Sequence, residues 1–359
     1  MSLRQVLAAS VREFWIPAAA GTAIAIVLAF ALHSVVFGLA IGLVFGLALG
    51  AVVTMASREL IRLGAAVVQL QNREAQLRAL IRRDIELEHR RDALERAIAD
   101  PSAAAHISRQ IAAAVFETHP FPHLIVDHVL PQALYDALVT GLPPAEMFNE
   151  QLPNKGSLKV PFALAPAYTR RIWNHVVQDV VPTMLMPPLV ERFAPVIDAW
   201  VREQFPGAGI EAAALDMKSS NGRILLRTRG YVIPPHRDPK WGFVTCILYL
   251  ARRGDSERWG TQLYEVEGDS EARGAPPHWI DSSQQCRQVK DVTFVPNRML
   301  TFLNSVGAHG ATIPDDAPAG LERYIYQFRI GPNKASIVSL MTSLPDDRRA
   351  LWAGKLTDY

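Results

Sequence analysis

The strongest hydrophobic pattern in the chain comes first. Between Glu13 and Arg58 lie 44 residues without one Asp, Glu, Lys or Arg, mostly Ala, Leu, Ile, Val, Phe and Gly. A bilayer core needs only about 20 helical residues. One straight span through the whole run would be roughly twice too long at about 1.5 Å per residue. The pattern therefore predicts a transmembrane helical hairpin, with spans near 16–32 and 36–56 and a turn at His33-Ser34. A single tilted span is the alternative. A cleaved signal peptide has a much shorter apolar core. Gly38, Gly42, Gly46 and Gly50 recur at every fourth position, as do Gly21, Ala25 and Ala29. Such stripes let helices approach closely in lipid. Arg4 and Arg12 precede the run, and Arg58 and Arg62 follow it. The positive-inside rule then puts both ends in the cytoplasm. The expected location is the inner or plasma membrane, crossed twice, with the rest of the chain cytoplasmic.

From 57 to 100 the pattern becomes that of one long charged helix. Leu63, Leu70 and Leu77 recur every seven residues, and Leu80, Leu87 and Leu94 do so again, offset by three. This predicts a coiled-coil stalk with a stammer, against the plainer reading of a lone solvated helix. The small-residue stripes and the heptads together predict a homo-oligomer. Asp100-Pro101 ends the stalk, and 101–118 reads as a linker helix.

A globular domain is expected over 119–335. It opens with a strand near 123–130, a helix near 132–141 and helices near 167–204. Short β-type runs follow: Arg223–Ile233, Trp241–Leu250, Thr261–Glu267, Val289–Phe294, Met299–Asn304 and Arg323–Ile330. Turn residues separate them, and no helical pattern intervenes. That predicts a mainly β jelly roll with the earlier helices packed outside it. Residues 336–359 read as a C-terminal tail.

Charge and cysteines narrow the class. A formal net charge of +2 in 359 residues gives no electrostatic reason to expect a nucleic-acid partner. Cys246 and Cys286 are far apart, which fits a reducing compartment and no disulfide framework. His119 and His123 have helical spacing, but Pro120 and Pro122 exclude a helix there. The domain contains no HExxH, P-loop or GxSxG motif.

The candidate chemistry sits in "PPHRDPKWGFVTCILYL", Pro234 to Leu250. In an extended segment residues i and i+2 point the same way. His236 and Asp238 therefore share one side and Arg237 points away. One imidazole and one carboxylate are two parts of a 2-His-1-carboxylate iron site. His309 in "FLNSVGAHGAT", expected at a strand end between Gly307 and Gly310, is the candidate for the third. A turn histidine and a loop histidine are the plain alternatives.

With its flanking text this arrangement resembles the Fe(II)/2-oxoglutarate-dependent dioxygenases, in particular the prolyl-4-hydroxylase-like group. The matching stretches are "GYVIPPHRDPKWGFVTCILYL", "WGTQLYEVEGD", "VPNRMLTFLNSVGAHGAT" and "ERYIYQFRI", with "FPHLIVDHVLPQALYDAL" as the opening strand and helix. The resemblance covers about 119–332 and none of the membrane or stalk region. It implies a double-stranded β-helix holding iron on His236, Asp238 and His309. It implies 2-oxoglutarate as cosubstrate, O2 as oxidant and ascorbate as an optional reductant. The far carboxylate of 2-oxoglutarate would need a cation, for which Arg323 is the first candidate and Arg329 the second. Arg227 and Arg229 are weaker ones. Tyr231 or Thr245 would add a hydroxyl. The substrate is unreadable: a peptidyl proline, a small molecule, or a glycan or lipid at the membrane all fit. A jelly-roll scaffold without activity and a cupin-like sugar epimerase are the competing function classes.

Overall fold

The structure, a computed structural model, describes residues 16–149, 155–158, 162–238, 241–266, 278–279, 286–304 and 306–353. The chain divides into two units, Met1–Ala75 and Gln76–Tyr359. Arg4 and Arg12 lie outside the described residues.

Helix α1 (Ile16–Glu88) is continuous through the apolar run. The expected turn at His33-Ser34 is not formed. Ser34 instead donates its hydroxyl to the carbonyl oxygen of Ala31 at 2.8 Å, as a serine inside a helix does. The physical reason is local: no proline occurs between Pro17 and Pro101, and His and Ser cost a helix only tenths of a kcal/mol, roughly. In the first unit the apolar side chains face outward on all sides, Phe30 at 80% and Phe45 at 73% exposure. An apolar surface all around a helix suits lipid rather than water. By length and composition this helix can cross a membrane.

The second unit begins earlier than the sequence pattern suggests. Leu80, Leu87 and Leu94 are buried, whereas Leu63, Leu70 and Leu77 are exposed. The chain turns at His89-Arg90 into α2 (Arg91–Ile98). The second leucine series thus belongs to the domain core and not to a stalk. Polar contacts hold it there: Arg83 donates to the Thr140 carbonyl at 2.8 Å, and Arg171 pairs with Glu95 at 2.9 Å. The expected linker helix, α3 (Ala103–Ala113), also packs into the core through Ile107 and Ile111.

After β1 (Phe116–Glu117) and β2 (His123–Val126) come α4 (Gln132–Thr140), β3 (Phe148–Asn149) and β4 (Lys155–Leu158). A helical layer follows: α5 (Ala167–His175), a π-helical stretch Val176–Leu185 around Pro182, and α6 (Met186–Gln204). This layer is apolar enough to pass for a membrane span, but Leu189, Phe193, Ile197 and Val201 are fully buried, as a core helix requires. The remaining strands are β5 (Met217–Arg227), β6 (Val232–Arg237), β7 (Val244–Tyr249), β8 (Thr261–Val266), β9 (His278–Trp279), β10 (Cys286–Val292), β11 (Met299–Leu303), β12 (Ala308–Thr312) and β13 (Arg323–Pro332). The run expected as one strand, 223–233, is two. Gly230 at φ +76° turns the chain between them, where only glycine is unstrained.

All strand pairs are antiparallel. One sheet runs β1-β2-β11-β7-β13-β5-β4-β3 and the other β10-β8-β12-β6-β9. Alternation decides what each face does. On β7, Val244, Cys246 and Leu248 pack with the helices, while Ile247 and Tyr249 meet Leu263 and Val292 of the second sheet. On β13, Tyr324, Tyr326, Phe328 and Ile330 take the helix side. That leaves Arg323, Ile325, Gln327 and Arg329 on the inner face. The result is a jelly-roll-like pair of sheets with flanking helices.

The last elements, α7 (Lys334–Thr342) and α8 (Asp346–Ala353), are part of the domain rather than a tail. Residues 354–359 lie outside the described residues. Trp352 is buried against Phe205, Trp241 and Trp200, with ring centroids at 4.9, 4.6 and 5.9 Å. Its carbonyl accepts from the Trp241 indole N–H at 3.3 Å. Trp241 follows Asp238 by three residues, so α8 braces the segment that carries the carboxylate. Trp352→Ala is expected to cost about 3–5 kcal/mol, as for other large aromatic truncations in a core. Chemical denaturation of the full chain measures it, and a change below about 1 kcal/mol would contradict this packing.

Candidate metal and cosubstrate site

The site lies between the sheets, where β6 and β12 meet. His309 pairs with His236 across these strands and with Leu263 of β8 on its other side. His309 is therefore the second residue of its own strand and does not end one. Pro234 and Pro235 sit inside β6 and cannot donate to the ladder. The β6–β12 register is irregular beside them, between His309 and Ala311.

His236, Asp238 and His309 each offer a ligand atom, and these atoms all lie within 4.8 Å of one another. All three residues are buried. The His236 Nε2 is 3.6 Å and the His309 Nε2 3.9 Å from the Asp238 carboxylate. The imidazole rings are 4.3 Å apart. His236 Nδ1 is 3.0 Å from the Pro234 carbonyl oxygen. A carbonyl can only accept, so Nδ1 carries the proton and Nε2 keeps its lone pair for a ligand role. Burial, reinforced by the neighbouring His236, pushes the His309 imidazole down to about 3. It is neutral near pH 7, as a metal ligand must be.

Asp238 is held from three sides. Thr245 donates its hydroxyl at 3.1 Å, Gln327 its amide at 3.3 Å, and Arg329 pairs at 3.1 Å. Burial alone would raise the Asp238 carboxyl. The Arg329 guanidinium and the two histidines outweigh it and keep the group well below the usual carboxylate range. Two imidazoles and one ionised carboxylate, close together and buried, fit Fe(II). Arg237 shares none of these contacts.

A cavity of about 50 Å³ opens on the triad, with Gln327 at the triad end.

 Strand by strand, the wall consists of Arg223, Leu225 and Arg227 from β5, Ile233 from β6, Ile247 from β7 and Gly310 from β12. Arg223 is solvent-exposed at the triad end, where it faces Gln327 across the β5–β13 pair. Arg227 is four residues farther along, buried, and directly opposite Arg323. The Arg323 guanidinium is 1% exposed, and none of its three nitrogens has a hydrogen-bond partner in the protein. It lies over the rings of Phe294 and Tyr249, 4.7 and 5.6 Å from their centroids. Burial, with Arg227 beside it, pushes Arg323 down to about 9. A buried guanidinium with no protein partner is costly by itself. It suits a carboxylate brought by a ligand.

The other sequence candidates are placed differently. Thr245 and Arg329 both contact Asp238 and so support the carboxylate. Tyr231 is buried, stacks on the Arg227 guanidinium at 4.6 Å, and its hydroxyl has no protein partner. Arg229 is exposed. Two roles escaped the sequence reading: Gln327 as a partner of Asp238, and Arg227 as the neighbour of Arg323. Strand parity on β13 carries the first. The second needs the β5–β13 register.

Gly310 gives the site a backbone constraint. A Cβ there would lie 2.8 Å from the Ile233 carbonyl oxygen, a backbone atom that cannot swing away. Gly310→Ala is expected to push β12 off β6, displace His309 and weaken metal binding about tenfold, the low end for losing a ligand's support. Metal titration of the variant measures this. An unchanged affinity would mean that His309 does not depend on the β6–β12 register.

No protein-family model matches the chain. No curated protein matches it either. Among solved structures it is similar to HygX from Streptomyces hygroscopicus with nickel and 2-oxoglutarate bound. That likeness has 16% identity over 59% of this chain and 83% of that one, at a TM-score of 0.35. It is also similar to an oxidoreductase of the 2OG-Fe(II) oxygenase family from Burkholderia pseudomallei, with 12% identity, 65% and 91% coverage and a TM-score of 0.32. A Pseudomonas putida prolyl-4-hydroxylase matches at 17% identity, 65% and 100% coverage and a TM-score of 0.28.

Proposed function

We propose that the chain is a membrane-anchored Fe(II)- and 2-oxoglutarate-dependent oxygenase that hydroxylates a C–H bond. The observation that carries this reading is the pairing of a buried His236-Asp238-His309 cluster with a buried guanidinium, Arg323, that no protein group satisfies. His236, Asp238 and His309 would hold the metal. When bound, iron with 2-oxoglutarate and O2 supplies the oxidising equivalents for C–H hydroxylation, releasing succinate and CO2.

The protein's own part is positioning. The Pro234 carbonyl fixes the His236 tautomer. Thr245, Gln327 and Arg329 hold the carboxylate plane of Asp238 and keep it ionised. Arg323, with Arg227 beside it, receives the far carboxylate of the cosubstrate. Leu225, Ile233 and Ile247 line the cavity with apolar side chains and exclude water from it. Neither an inactive scaffold nor a sugar epimerase calls for a buried, unsatisfied guanidinium in the same sheet pair as such a cluster.

The apolar part of α1 supports the anchor, and its glycine stripe offers a surface for a second copy. Arg58 and Arg62 at its end favour a cytoplasmic domain, where reduced iron and 2-oxoglutarate are at hand. Succinate formation from 2-oxoglutarate by the detergent-solubilised full chain, requiring both Fe(II) and O2, tests the activity. Retention of the chain in membranes after alkaline extraction tests the anchor, and release into the supernatant would remove it from the account.

A further inference from the structure

The inner faces of β5 and β13 carry more positive charge than the proposed reaction uses. Arg223 and Arg227 lie on β5, and Arg323 and Arg329 on β13. Among the described residues, Asp238 is the one carboxylate within ion-pair distance of any of these four, and it contacts Arg329. Four guanidinium groups against one carboxylate leave an excess of three positive charges. A divalent metal adds two, and 2-oxoglutarate removes two, so the excess is unchanged in the loaded site. At low effective dielectric such an excess is a large uncompensated term, and a bound anion offsets it.

Position separates the four. Arg227 and Arg323 form the buried pair opposite one another, which suits the far carboxylate of the cosubstrate. Arg329 is engaged by Asp238. Arg223 remains: it lines the cavity together with His236 and Asp238, is open to solvent, and stands at the triad end, four residues from Arg227. A substrate approaching the triad from solvent passes this guanidinium. Its planar fork binds carboxylates and phosphates through paired N–H donors.

Resting on the oxygenase reading above, we propose that the hydroxylated substrate is an oxyacid, carrying a carboxylate or phosphate group that Arg223 holds at the mouth of the cavity. The anion sets the substrate's orientation, so the C–H bond attacked lies within a few bonds of it. A neutral peptide side chain does not use this cation. The oxyanion belongs either to a free small acid or to an anionic lipid headgroup, and the chemistry of recognition is the same for both.

The test uses the full chain in phosphatidylcholine vesicles, loaded with Mn(II) and 2-oxoglutarate, and titrated with methylphosphonate. Dimethyl methylphosphonate, its neutral ester, is the control. Methylphosphonate is expected to bind in the presence of 2-oxoglutarate and the ester is not. Arg223→Gln is expected to weaken methylphosphonate binding at least tenfold, about 1.4 kcal/mol, while the dissociation constant of 2-oxoglutarate changes less than twofold. Adding phosphatidic acid to the vesicles distinguishes the sources: displacement of methylphosphonate assigns a lipid headgroup, and no displacement assigns a free acid. If Arg223→Gln does not fold, Arg223→Lys replaces it. Lysine keeps the charge without the fork, and a several-fold weakening is expected. Equal binding of the acid and its ester, no binding of methylphosphonate, or an unchanged affinity in the variant would overturn the proposal. So would an equal loss of 2-oxoglutarate binding, which would assign Arg223 to the cosubstrate. Failure of the wild-type chain to bind 2-oxoglutarate is a separate result, which removes the oxygenase reading itself.

Discussion

Asp238→Ala is expected to abolish Fe(II) binding and all turnover. The substitution leaves two imidazoles, which hold a hard divalent cation far more weakly than a set with an anionic oxygen. It also strips Arg329 of its ion-pair partner at 3.1 Å. Both residues are buried, so the variant is expected to lose about 3–5 kcal/mol of stability as well. His236→Ala and His309→Ala are expected to lose iron without that stability penalty, because neither histidine satisfies a buried cation. Arg237→Ala is expected to keep its iron, since its neighbours on either side carry the ligands and it does not. Iron stoichiometry and denaturation midpoints of the four variants separate these outcomes. Stoichiometric iron in Asp238→Ala would eliminate the three-residue site.

Arg323→Met is expected to move stability and cosubstrate use in opposite directions. In the ligand-free protein the Arg323 guanidinium is buried without a protein hydrogen bond and stands beside Arg227. Replacing it by an apolar side chain of similar length should stabilise the ligand-free chain, by about 1–3 kcal/mol on the scale of unsatisfied buried polar groups. The same change removes the cation for the far carboxylate. The 2-oxoglutarate requirement should rise at least about tenfold, which takes only about 1.4 kcal/mol, while metal affinity stays the same. Arg329→Ala should show the reverse split, with weaker metal binding through loss of the Asp238 contact. A variant with normal 2-oxoglutarate use would transfer the role to Arg227, and a destabilised Arg323→Met would show that the guanidinium is satisfied in the folded protein.

The parts of this site that strand periodicity governs were legible in the sequence. His236 and Asp238 share a side because they are two residues apart, and the inner face of β13 follows from Arg323 by the same count. Hydrophobic alternation located β11 and β13 to within two residues and β7 to within three. What escaped depends on information the pattern does not hold. The leucines at 80, 87 and 94 recur every seven residues whether they face a second helix or the core of their own domain, and here they face the core. His33-Ser34 interrupts hydrophobicity without interrupting helix propensity, so the composition suggested a turn that the backbone has no reason to make. Arg329 and Arg323 have the same parity on β13. Only the placement of Asp238 beside one and Arg227 beside the other gives them different roles. Residues 346–353 look like a polar tail because Trp352 is the buried aromatic among charged residues, and two of those, Arg348 and Arg349, also bond back to the domain.

Binding of the metal and of 2-oxoglutarate at the cluster is expected to be coupled. Fe(II) and then 2-oxoglutarate are titrated anaerobically into the detergent-solubilised full chain, with Asp238→Ala and Arg323→Met alongside. The expected result is one iron per chain and one 2-oxoglutarate whose binding requires the metal, with both lost in Asp238→Ala and only the 2-oxoglutarate lost in Arg323→Met. Stoichiometric iron in Asp238→Ala, or no 2-oxoglutarate bound by the iron-loaded wild-type chain, would contradict it.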